Sequence, residues 1–158
     1  MFETIISVYD GSVYSEEAFK TALSFAKVYK SEVHLLSTIY MPYFVETKDE
    51  YDAIIKNGHE YYEKLYEKVE EIAKPFQIKF QKIMIPGNVL HSIIRYSEEV
   101  DADLIVIGEK SNGSMKRHVL GSLSTFLIRR SNRSILTVRI WHNLKTNHIL
   151  NTISNKNI

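Results

Sequence analysis

The chain has no cysteine, which removes disulfide frameworks, thiolate metal sites and thiol nucleophiles together and fits a reducing compartment. It has no excess of charge of either sign. Its 20 Lys and Arg residues against 19 Asp and Glu leave a formal charge of +1, too small a field to gather nucleic acid or an anionic membrane surface. No stretch approaches the roughly 18 consecutive apolar residues that a membrane helix needs, and the opening residues Met1 to Ile6 lack the basic, apolar and small-residue regions of a secretion signal. A cytoplasmic protein is expected. Phosphate-binding loops of the Gly-x-x-x-x-Gly-Lys-Ser/Thr type, Gly-x-Gly-x-x-Gly turns, nucleophile elbows and His-Glu-x-x-His pairs are all missing. The histidines, His34, His59, His91, His118, His142 and His148, are dispersed without metal-ligand spacing. No catalytic residue and no metal site are therefore expected, and Glu109, a candidate base by position only, reads as an exposed loop charge.

What is present is a soluble-protein composition, 44% hydrophobic and 25% charged, in 158 residues, enough for one domain with a real core. Apolar runs at 4–9, 33–40 and 104–107 have the near-continuous character of strands buried on both faces. A run at 78–85, less uniformly apolar, fits a sheet edge and is ended by Pro86-Gly87. The fifth strand is expected over 135–140. Between them lie helical patterns. Ser15 is the expected N-cap of the first, which carries Ala18, Ala22, Phe25, Ala26 and Tyr29. The second covers 50–74 with Ile54, Gly58, Tyr61, Leu65, Val69 and Ile72 as its apolar stripe. Its tyrosines are expected to cover core. Asn88 caps the third, and a short helix is expected over 120–130. The Pro-bearing loop 41–49 reads as a surface connection, and the Asn-rich residues after Ile140 carry little pattern. Strands alternating with helices, without internal repeats, imply an α/β fold: a doubly wound five-stranded parallel sheet with helices on both faces.

In such a sheet ligands bind beyond the carboxyl ends of strands where the winding reverses. Two segments belong there: Val8-Tyr9-Asp10-Gly11 after strand one, and the loop from Gly108 to Ser122 after strand four. Gly121-Ser122 opens the following helix, so free amides, the helix dipole and a hydroxyl can face an anion. Asp10 can accept from a ribose hydroxyl or a base amine; it can equally hold an Asx-turn. Lys110, Lys116, Arg117 and His118 gather positive charge in the same loop; they either neutralise phosphates or form a solvated face.

At these positions the chain resembles the universal stress protein family. The family's fingerprint of Gly, two residues, Gly, nine residues and Gly-Ser is matched by Gly108, Ser111 and Gly121-Ser122 with one change of identity. Asp10-Gly11-Ser12, Pro86-Gly87-Asn88, the run from Asp101 to Gly108 and Asn132-Arg133-Ser134-Ile135-Leu136-Thr137-Val138 extend the likeness. A domain of this type, adenine nucleotide alpha hydrolase-like, is expected over 1–142, followed by a tail over 143–158. The resemblance implies a sheet order of 3-2-1-4-5 and homodimers through the last strand. It implies an ATP-binding or adenine-nucleotide-binding regulatory protein of the stress response, with Mg²⁺ carried by the nucleotide and at most slow ATP hydrolysis. The base and ribose would lie by Val8, Tyr9, Asp10 and Thr38. The phosphates would lie along Ile107, Gly108, Lys110, Ser111, Gly121, Ser122, Leu123 and Ser124.

Ser111 stands where the fingerprint has its second glycine. Its Cβ obstructs close phosphate approach and costs about 1–2 kcal/mol if the backbone there is left-handed, roughly tenfold in affinity. The alternative reading follows from it: a dimeric interaction module with an unknown protein partner that does not bind ATP.

Overall fold

The computed structural model describes residues 2–109 and 122–140. Five short runs rich in Ile, Val and Leu form the strands: β1 (Thr4–Val8), β2 (Glu32–Tyr40), β3 (Phe80–Gly87), β4 (Leu104–Gly108) and β5 (Ser134–Val138). The helices between them are α1 (Val13–Tyr29), α2 (Lys48–Ala73), α3 (Val89–Glu99) and α4 (Ser122–Arg130), with a single 3-10 turn at Lys74–Phe76 after α2. All strand pairs are parallel, and the sheet order is β3-β2-β1-β4-β5. This is the expected doubly wound α/β architecture, with β3 at an edge as its mixed composition required.

The three central strands, β2, β1 and β4, alternate between two cores. Ile5, Tyr9, Leu35 and Val106 face α1 and α2, where Phe19, Ala22, Tyr66 and Val69 meet them. Ile6, Leu36, Ile105 and Ile107 face the other way, onto Ile93 of α3 and Leu127 of α4. Each such side chain taken out of water contributes about 1.5–3 kcal/mol.

The element ends differ from the sequence reading in ways with local causes. Ser12, not Ser15, caps α1: its side chain accepts from Ser15 N at 3.1 Å. Asp10 Oδ1 accepts from Ser12 N at 3.0 Å, an Asx-turn that reverses the chain at once and lets the helix begin three residues early. Ser15 is buried instead, with its hydroxyl donating to Ser12 O at 2.8 Å. Thr47 caps α2 by accepting from Glu50 N at 3.1 Å. The core face of α2 carries Tyr62, Tyr66, Val69 and Ala73, with Ile54, Leu65 and Ile72 partly buried against the same core as the sequence pattern had them, while Tyr61 is half exposed. Pro86 and Gly87 stay within β3, paired with Ile39 and Tyr40, because an edge strand tolerates a residue without an N–H. β5 is shorter than expected, ending at Val138.

The amino ends of β1 and β4 are tied by Asp103. Its Oδ2 accepts from Glu3 N at 2.7 Å and Thr4 N at 3.0 Å, while its own N–H donates to Thr4 O at 3.0 Å. These backbone donors hold the Asp103 carboxyl below the usual aspartate range. A depressed carboxyl stabilises the fold above its unfolded pKa and loses that contribution as pH falls through its folded one. Asp103→Asn is therefore expected to unfold at lower denaturant than wild type at neutral pH, with the two curves converging as the solution is acidified below about pH 4, measured by urea titration at a series of pH values.

Candidate functional site

The carboxyl ends of β1, β2 and β4 converge through their registers. Val8 pairs with Leu36 and Ser7 with Val106, and Tyr9 N donates to Leu36 O at 2.8 Å. The ladders stop there: Asp10 follows the end of β1 in a turn, while Thr38 of β2 and Gly108 of β4 belong to the same, carboxyl, end of the sheet. The crossovers from β1 and β4 leave on opposite faces at this point, α1 to one side and α4 to the other, which leaves the cleft where open α/β sheets take their ligands.

The side chains of the site divide into those that can touch a ligand and those that cannot. Val8, Tyr9 and Ile107 are buried in the cores, so they can offer only backbone. Asp10 is partly buried, and one of its carboxylate oxygens is committed to the Asx-turn with Ser12. At the start of α4, Ser122 is exposed, Leu123 packs against the α3-side core and Ser124 is 1% exposed. The α4 N-terminus therefore presents one open hydroxyl together with its first amides. Lys110, Ser111 and Gly121, with Lys116, Arg117, His118 and the tail 143–158, lie outside the described residues. Glu109 is partly buried rather than exposed, and its side chain pairs with Arg139 at 3.3 Å.

Gly108 has a packing reason to be glycine. A Cβ there would lie 2.7 Å from the backbone carbon and the Cβ of Tyr14 and 2.8 Å from its carbonyl oxygen, because the first turn of α1 packs directly onto the end of β4. Gly11, at φ 81°, meets the other requirement for glycine, a left-handed turn residue. The contact partner Tyr14 carried no sequence signal of its own; only the regular spacing of strand, turn and helix hinted that the helix would start so close.

The wall on the β2 side is aromatic. Tyr62 of α2 donates its hydroxyl to Thr38 O at 3.1 Å. Its ring lies 6.2 Å from Tyr66, which lies 6.3 Å from Tyr9. Burial pushes the Tyr9 hydroxyl up to about 12, with the Glu16 and Asp10 carboxylates adding to the effect, and burial followed by Asp10 pushes Tyr62 up as well. All three hydroxyls stay protonated at physiological pH. The sequence pattern placed the tyrosines of α2 in the core, as Tyr62 and Tyr66 are and the more exposed Tyr51 and Tyr61 are not, but did not show that Tyr62 reaches the end of β2.

Among the described residues no group of three or more His, Asp or Glu side chains could hold a metal ion, and no helix is long and apolar enough to cross a membrane. A shallow groove of about 400 Å³ lined by Glu70, Ala73, Lys74, Gln77, Ile78, Lys79 and Phe80 lies at the amino end of β3, the opposite end of the sheet from the cleft.

Known proteins share this fold. The profile of the universal stress protein family matches residues 1–139. A universal stress protein of Methanocaldococcus jannaschii is 28% identical over 141 residues, covering 88% of this chain and 83% of its relative. The solved structure of a universal stress protein from Lactobacillus plantarum superposes with a TM-score of 0.75 at 18% identity, covering 87% of this chain and 98% of that one. A family member from Arabidopsis thaliana, solved with AMP bound, superposes with a TM-score of 0.62 at 13% identity, covering 89% and 93%.

Since the contact at Gly108 is with backbone, it cannot be relieved by a rotamer change. Gly108→Ala is expected to destabilise the protein by about 1–3 kcal/mol, measured by equilibrium urea unfolding. Gly11→Ala, whose new Cβ would meet only the end of the Leu65 side chain, should cost about 1–2 kcal/mol through its left-handed backbone alone.

Proposed function

The chain belongs to the universal stress protein family, and from that membership we propose that it is a regulatory protein of the stress response that binds an adenine nucleotide at the carboxyl ends of β1 and β4. The observation that supports the proposal is the strand order β3-β2-β1-β4-β5, which reverses the winding between β1 and β4, the point where open α/β sheets take their ligands. The AMP held by the Arabidopsis relative supports the class of ligand.

In this reading Asp10 and Thr38 face the base and ribose, and the backbone beside Val8, Tyr9 and Ile107 forms the floor. The phosphates of ATP lie along Gly108, Lys110, Ser111, Gly121 and the amides of Ser122, Leu123 and Ser124, where a helix N-terminus favours negative charge. Mg²⁺ arrives with the nucleotide and supplies further charge neutralisation; no protein ligand set is assigned to it. The homodimer forms through β5, an edge strand whose Ile135, Leu136 and Val138 are only half buried, in a cytoplasmic setting. Nucleotide biases the dimer only by binding two of its states unequally.

Two observations favour the interaction-module reading instead. Asp10 already serves a turn, and Gly108 is explained by the packing of Tyr14, so neither residue needs a ligand to account for it. Calorimetric titration with ATP and Mg²⁺ separates the readings. Micromolar binding by wild type, strengthened about tenfold in Ser111→Gly and lost in Gly121→Val, is the expected result. Silence in all three proteins would leave the dimer surface and the tail as the carriers of function.

A further inference from the structure

β2 runs past the end of β1, and this exposes one carbonyl of its ladder. Leu36 O points toward β1, where it accepts from Tyr9 N at 2.8 Å. Carbonyls alternate along a strand, so Thr38 O, two residues on within β2 (Glu32–Tyr40), points the same way. There is no longer a strand beside it: β1 ends at Val8, and the Asp10–Ser12 turn carries the chain off into α1. The hydroxyl of Tyr62 comes down from α2 to this carbonyl at 3.1 Å.

Tyr62 is 8% exposed and is held by its neighbours: Tyr61 packs edge-on at 5.2 Å and Tyr66 lies 6.2 Å away. Burial and the nearby Asp10 carboxylate keep its hydroxyl protonated, so toward Thr38 O it acts as a donor. A carbonyl has two lone pairs. Tyr62 takes one, and with β1 ended at Val8 no amide of that strand takes the other.

We propose that Tyr62 is a positioning residue for base selectivity, presetting the Thr38 carbonyl to accept from an exocyclic amine and to reject an oxo group at the same place. The inference rests on the nucleotide reading of the cleft and adds to it a residue on α2, outside the glycine loop and the strand ends. The selectivity comes from an unequal outcome: an amino group completes the carbonyl's second hydrogen bond, whereas a carbonyl on the base would set two acceptors against each other with no proton between them.

ATP and ITP are suitable probes because they carry the same ribose and phosphates and differ only at the base edge, where the exocyclic amine becomes an oxygen and the adjoining N1 changes from acceptor to N–H donor. Their affinities for wild type, Tyr62→Phe and Tyr66→Phe are measured by calorimetry, with thermal melts of all three proteins. Wild type is expected to prefer ATP. Tyr62→Phe should reduce the ATP to ITP preference by about 2–10-fold, the worth of one positioned hydrogen bond, mostly through ATP. Tyr66→Phe, one turn along the same helix, should leave the ratio unchanged. Equal affinity of wild type for the two nucleotides, or loss of both in proportion in Tyr62→Phe, would overturn the proposal and reduce Tyr62 to a tie between helix and strand. Wild type that binds neither nucleotide overturns the nucleotide reading itself, and this inference with it.

Discussion

β1 carries a parallel neighbour on each side, β2 and β4, and this double pairing governs the rest of the molecule. A parallel pair must be joined by a crossover, and right-handed crossovers to opposite neighbours put their helices on opposite faces of the sheet. Both faces of β1 and β4 are then covered, which is why Ile5 and Ile6, adjacent in sequence, are both fully buried in different cores. The same rule opens a cleft at the carboxyl ends of the central strands, since the chain leaves β1 and β4 in opposite directions.

The two ends of this central pair are held by different means. At the amino end, Asp103 ties β4 to β1 by accepting from the amides of Glu3 and Thr4. At the carboxyl end the tie is steric: Gly108 lets the first turn of α1 rest on β4 with Tyr14, and the Asx-turn at Asp10 starts that helix within four residues of the strand. Because the turn is so short, the α1 N-terminus is brought to the cleft, and Asp10 is kept at its rim. Gly108 and Asp10 would be needed for the fold even in a relative that bound nothing. Their presence therefore identifies the architecture more strongly than it identifies a ligand.

The wall on the β2 side shows how a helix assigned to the core can also serve the site. α2 buries Tyr66 and Val69 against β1 and β2, and the same stripe, one turn toward its amino end, presents Tyr62 to Thr38 O. Packing and this hydrogen bond share one face because β2 outlasts β1: where the neighbouring strand stops, a backbone acceptor is left over, and a tyrosine whose ring already belongs to the core donates to it.

Strand and helix order, the α/β class and the family likeness were determined by the sequence itself, since each rests on local patterning or on short motifs such as Asp10-Gly11-Ser12 and the run from Leu104 to Gly108. The elements with the steadiest apolar content were legible almost to the residue. What depended on contact between distant segments was decided only by tertiary structure. The pattern of α2 placed Ile54, Leu65, Val69 and Ile72 on the core side, where they lie, but Tyr61 and Tyr62 are chemically alike, and only docking on the sheet chose Tyr62. Ser12 took the cap from Ser15 because the Asp10 side chain turned the chain early. Gly108 looks like part of a phosphate loop in sequence, and its fit against the backbone of Tyr14 appears only when α1 has been laid on β4. In each case the deciding energy is a close packing contact between residues far apart along the chain or a turn set by a single side chain, and neither leaves a periodic trace in the sequence.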